Sequence, residues 1–343
     1  MSASYAIGRI RSQYPDIAKA EIESRLRYST FVDATSKFLY FEIPKNACST
    51  IKLYLREMKQ APALAPFTDW APETNRNHFV HSRVNVPLPS LLDLSAAQQE
   101  EAIDSDDFVR LLVVRNPYER LVSAWKSKVF LREPGFGYVY RAVRGRDEPS
   151  GYEDLVSLAE FVDFVERCED LSSCNSHWRL QSEHIFHRSI KYNSVFSTDT
   201  LGQALEAIAA VFAVAPPRQP RKANTSVEAV RAALTPETAE KIRRLYSPDF
   251  AAFNFSTAPP AALFRPPQEA DPVARRLIEE VVERNILLDS LYGRWREASM
   301  GWRRRSRRRL ARVKSALFPS RRESKRTVAT DAAGASIPLS RSS

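Results

Sequence analysis

The chain has 343 residues, 43% of them hydrophobic, and a formal net charge of +10, enough for one large domain or two modest ones. Nine glycines and 22 prolines exclude collagen-like and fibrous classes. No apolar run approaches the ~18 residues of a membrane span, and the N-terminus lacks the apolar stretch of a secretory signal. The charge is concentrated in one place: residues 302–326 hold 12 Lys/Arg and one Glu, which leaves the rest near neutral. Cys48, Cys168 and Cys174 make neither a disulfide framework nor zinc-ligand spacing, so a reducing compartment and no metal are expected.

In chain order, residues 1–36 read as an N-terminal extension with some helical pattern. "KFLYFEI" at 37–43 reads as a buried strand. Ile51, Leu55 and Met58 then recur at helical spacing, with Ser49 and Thr50 as N-cap candidates. Residues 60–105 are broken by five prolines and read as a long functional loop. "FVRLLVV" at 108–114 is a second strand, of the unbroken apolar kind found in parallel sheets. Pro117 opens a helix whose Leu121, Val122, Trp125 and Val129 share a face. Residues 132–153 read as an excursion, and a helix follows with Leu158, Phe161 or Val162, and Val165 as its stripe. A short strand precedes a helix at about 200–213, Thr235 caps another that ends before Pro248, and 272–300 is amphipathic. The repeated strand-loop-helix unit predicts an α/β fold with a parallel central sheet flanked by helices.

The two loops carry the chemistry. "IPKNACST" runs from a strand into a helix, where backbone N–H groups and the helix dipole favour an anion, and Lys45 adds a full charge. A capped helix with a solvated lysine reads equally well from this loop alone. The glycine-rich GxxxxGK[ST] loop is absent, which argues against an ordinary nucleoside triphosphatase or a small-molecule kinase. In "VVRNPYERLVSAW", Arg115 offers a planar fork of donors and Ser123 lies eight residues on, though from this loop alone Arg115 paired with a nearby carboxylate and Ser123 as a small packing residue is the better reading.

Together the loops resemble those of the carbohydrate sulfotransferase family, in the branch with the chondroitin and dermatan enzymes, with patterns IPK-x-x-C-[ST] and V-R-[DN]-P-[FY]-E-R-[LV]-x-S-[AG]. "NSHWRLQSEHI", "KYNSVFSTDTL" and "LYSPDFAAFNF" look like later family segments, so the resemblance covers about 37–255. It implies a fold akin to the nucleotide kinases, with 37–300 as the sulfotransferase domain and 301–343 as a basic, disordered tail. It also implies 3′-phosphoadenosine 5′-phosphosulfate as co-substrate, without a metal. Lys45 and the backbone of Asn46, Ala47, Cys48, Ser49 and Thr50 would hold its 5′-phosphosulfate, and Arg115 and Ser123 its 3′-phosphate. Arg221 and Lys222 are candidates in a basic loop that serves the nucleotide in the wider superfamily. The acceptor would be a carbohydrate or glycolipid hydroxyl. Family members carry a catalytic base between the two loops; His81 is favoured over His78, with Asp69 and Glu73 as carboxylate alternatives. His177 reads as structural, beside Trp178, and Cys48 as a small loop residue.

The tail at 302–326 reads either as a solvated segment or as a basic amphipathic helix for an anionic membrane surface; nucleic acid is a weaker choice. Animal members have an N-terminal anchor, and its absence here points to a bacterial cytoplasmic enzyme, with the inner face of the membrane as a peripheral site. The competing reading is a non-enzymatic binder of membrane or nucleic acid that works through the tail. The oligomeric state is left open.

Overall fold

In the computed structural model the described residues are 4–60, 85–215, 234–264 and 272–291. All but the last two belong to one compact unit, Met1–Asp289. Its elements run α1 (Tyr5–Gln13), α2 (Lys19–Ser29), β1 (Thr30–Asp33), β2 (Phe38–Phe41), α3 (Cys48–Met58), α4 (Ala96–Asp104), β3 (Val109–Val114), α5 (Pro117–Ala124), α6 (Gly137–Arg144) and α7 (Leu158–Glu166). Then come α8 (Gln181–His184), β4 (Ser194–Ser197), α9 (Leu201–Val211), α10 (Pro236–Leu245), α11 (Ser247–Ala252) and α12 over 272–291.

The expected α/β architecture is present. β2 pairs in parallel with β3 (Phe38 opposite Val109), and β3 with β4 (Leu111 opposite Ser194). β1 adds an antiparallel edge, Thr30 opposite Phe41. Alternation along the strands feeds two cores, one on each face. Leu39, Phe41, Leu112 and Val114 pack with Ile10, Ile22 and Leu26 of α1 and α2 and with Ala102 and Ile103 of α4. Phe38, Tyr40, Leu111 and Val113 face Ile51 and Leu55 of α3 and Leu205 and Ile208 of α9. A third core joins α5, α6, α7 and α10 around Trp178, with Ile278 and Val282 of α12 against it.

Several expectations change. The stretch set apart as an N-terminal extension supplies α1, α2 and the edge strand, because Ile10, Ile22 and Leu26 are fully buried against the sheet. Part of the 60–105 stretch, expected to be irregular, is α4, started by Ser95 and Gln98, which each bond the other's backbone N–H. The 132–153 excursion contains α6, closed at Gly145 in the left-handed conformation that glycine adopts at no steric cost. Both Phe161 and Val162 of α7 are buried, and Thr235 caps α10 as expected. Of the helix expected over 272–300, residues 272–291 are described and helical. No helix among the described residues is long and apolar enough to cross a membrane.

Candidate active site

Because β2 and β3 are adjacent and parallel, the loops that leave them open on the same edge of the sheet. Lys45 and Ala47 of the first loop both have positive φ, 73° and 58°, on either side of Asn46. Non-glycine residues in that region each cost on the order of 1 kcal/mol, so the loop is held in its shape by its surroundings. The N-cap of α3 is Ala47, not Ser49 or Thr50, which fall in the first turn. Alanine offers no oxygen to the first N–H groups, so the N-cap residue makes no side-chain cap. The result is a helix start with two left-handed residues before it and no side-chain cap from its N-cap residue, the setting that favours an anion.

Side chains from distant segments fix that shape. Buried Asn46 donates through Nδ2 to the Val113 carbonyl at 3.0 Å and to Gln181 Oε1 at 2.6 Å. Gln181 also accepts from Arg115 N at 3.0 Å and donates to Arg115 O at 2.9 Å, so one amide ties the two loops together. Asp249 in turn accepts from Gln181 N (2.7 Å), Ser182 N (2.9 Å) and Ser182 Oγ (2.8 Å). Arg120, 2% exposed, donates to the carbonyls of Pro44 (3.2 Å), Arg179 (2.7 Å) and Ser176 (2.9 Å). The sequence reading missed Arg120 and gave Gln181 and Asp249 no role, since helical spacing alone leaves these as ordinary polar positions.

Lys45 Nζ donates to Ser127 Oγ at 2.6 Å. Burial pushes its amine down to about 8, helped by the Lys128 and Arg115 charges and opposed by Glu133 and Cys48. Arg115 reaches the Lys45 carbonyl at 3.3 Å and pairs with Glu119 at 3.4 Å, the nearby carboxylate that the alternative reading of this arginine expected. Ser123 is half-buried on α5, and its carbonyl accepts from Ser127 Oγ at 3.0 Å. Below the loop, Lys52 and Glu42 form a buried pair at 2.9 Å. Burial, with Glu42 beside it, pushes the Cys48 thiol up to about 12, which removes it as a nucleophile at neutral pH.

His177 Nδ1 lies 2.8 Å from Asn175 Oδ1, its ring edge-on to Phe136, and neighbouring Trp178 is 1% exposed. His184 is fully enclosed, with Nε2 3.1 Å from the Glu42 carbonyl, and burial holds its imidazole neutral. His78, His81, Asp69, Glu73, Arg221, Lys222 and the basic tail lie outside the described residues.

The later motif segments thus converge on the loops that the resemblance singled out. A family model described as "Sulfotransferase family" matches residues 28–256. The chain belongs to the sulfotransferase family. Carbohydrate sulfotransferase 10 of Danio rerio is 25% identical over 202 residues, 52% of this chain and 54% of that protein. The chain therefore spans about half the length of that curated relative. No solved structure gives a significant match. The α/β sheet with its flanking helices agrees with the sulfotransferase fold, and the family match begins inside α2, ahead of the edge strand. Sulfate donation from 3′-phosphoadenosine 5′-phosphosulfate is the chemistry this membership implies.

Proposed function

We propose that this protein moves the sulfuryl group of 3′-phosphoadenosine 5′-phosphosulfate onto a hydroxyl of a carbohydrate or glycolipid by in-line displacement. One observation carries the reading: Lys45 and Arg115 meet at the start of α3, whose N-cap residue makes no side-chain cap, on the shared edge of two parallel strands. The donor, when bound, supplies an activated sulfuryl group and a phosphate leaving group. The α3 N–H groups and Lys45 then neutralise charge that grows on the leaving phosphate, without any need for a metal. Arg115 and Ser123 hold the second phosphate, Arg115 exchanging its contact with Glu119 for a charge-assisted fork. Gln181, Arg120 and Asp249 keep the cradle in place before the donor arrives, so little reorganisation falls on the reacting state.

The acceptor hydroxyl must lose a proton as it attacks. His81 is our first candidate for the base and His78 the second, worth about 10²–10⁴-fold in rate. The basic segment 302–326 is proposed to hold the enzyme at an anionic membrane surface on the cytoplasmic side. Arg221 and Lys222 are proposed to add charge near the nucleotide.

The test is calorimetric titration of adenosine 3′,5′-bisphosphate into the purified chain, with ATP as control. Micromolar binding that ATP does not match supports the reading. A folded chain that binds neither, or binds ATP better, overturns it.

A further inference from the structure

The last described helix, α12, has two sides of different kinds. On the inner side Ile278, Val282 and Asn285 are buried. That side is tied down along its length. Asn285 Nδ2 donates to the Leu131 carbonyl at 2.7 Å, Glu279 Oε1 accepts from Tyr152 N at 2.9 Å, and Arg275 pairs with Glu153 at 2.7 Å. The helix is therefore a fixed part of the unit, and its outer side is a fixed surface.

On that outer side Leu277, Glu280, Arg284 and Leu287 follow at spacings of three, four and three residues, and all are exposed. Leu277 is 57% and Leu287 58% exposed, which is unusual for leucines on an anchored helix. The spacing is that of the seam between two packed helices. In the sequence, Val273 and Leu291 extend it by one step of four at either end.

The row is self-complementary. Counting outward from residue 282, Glu280 and Arg284 lie two residues away with opposite charges, Leu277 and Leu287 five, and Val273 and Leu291 nine. An antiparallel second copy of α12 would set each leucine against a leucine and each charge against its opposite. Arg276 and Glu283, exposed along one flank, would meet their counterparts in the same way. Among the described residues Glu283 and Arg284 make no ion pair, and Glu280 makes only a solvent-facing one with Arg276 at 3.3 Å. Parallel pairing would instead oppose Glu280 to Glu280 and Arg284 to Arg284.

We propose that two copies of this chain join through this face, α12 against α12, antiparallel across a two-fold axis. The leucines supply the apolar contact. The central charges cost stability when enclosed but fix direction and register. The seam is short for a stable interface, so the dimer separates on dilution over about the micromolar range.

The test is light scattering after gel filtration of the full chain over a concentration series, in which monomer should give way to dimer. Glu280→Arg and Arg284→Glu should each weaken the dimer by about 10- to 100-fold, because each sets like charges together twice. The double variant should recover the original strength. Mixed in equal amounts, the two single variants should pair with each other, giving a dimer of intermediate mass in native mass spectrometry. A chain that stays monomeric up to about 0.1 mM overturns the proposal. So does a dimer that neither reversal weakens, since its contact lies elsewhere. A monomer whose Leu277→Glu variant loses binding to phosphatidylserine vesicles assigns the face to a membrane and also overturns it.

Discussion

Two strand-to-helix junctions lie side by side in this protein, and they solve the same local problem in opposite ways. After β3, Asn116 caps the next helix by accepting from Tyr118 N at 3.0 Å, and Pro117 fills the first position, where no N–H is needed. That helix start is satisfied internally. After β2, Ala47 supplies no side-chain cap and two residues sit at positive φ. In the proposed site the closed junction contributes side chains, Arg115 and Ser123. The open one contributes backbone N–H groups and a lysine. Where a helix start gives up its cap in a loop that is otherwise tightly tied, the missing partner is expected to be a ligand oxygen.

Substitutions can break this contrast at either junction. The largest effect belongs to the open one: Lys45→Ala should lower the sulfation turnover number by about 10²-fold or more, as does loss of one transition-state donor. Near-normal turnover by the folded variant would remove Lys45 from the reaction. Arg115→Ala should act on binding instead, weakening adenosine 3′,5′-bisphosphate by about 10- to 100-fold in a calorimetric titration. An unchanged affinity would leave Arg115 as a tie between loops and nothing more. The pH dependence of that titration sharpens the distinction. With its amine down at about 8, Lys45 is cationic below that pH and loses its charge above it. Affinity should therefore be flat towards pH 7 and fall by up to about tenfold per pH unit above 8, and Lys45→Ala should abolish the fall. The smallest effect lies at the closed junction. Asn116→Ala should cost about 1 kcal/mol of stability in denaturant unfolding.

The sheet was legible because β2 and β3 are unbroken apolar runs, and a strand buried on both faces needs little else to declare itself. The two loops stood out through their resemblance to the family's motifs, because on spacing alone neither Lys45 nor the Arg115 and Ser123 pair outweighed an ordinary structural reading. The features that escaped were of two kinds. α4 had its signal in Ser95 and Gln98, but the surrounding prolines hid it. The ties made by Gln181, Asp249 and Arg120 had no local signal at all. Arg120 sits in a helix beside Glu119 and reads like a solvated charge, yet it is buried against three carbonyls contributed from elsewhere. The left-handed residues Lys45 and Ala47 were equally silent, because neither is the glycine that would announce such a conformation.

The path from Asn46 through Gln181 to Asp249 spans most of the compact unit, with separations of 135 and 68 residues. Each contact must wait for the later partner to be synthesised. The first loop near the front of the chain therefore lacks its full set of ties until residue 249 has left the ribosome, although β2 and α3 emerge long before it. A nascent chain cut short before that point would carry the whole first loop without the ties that hold its shape.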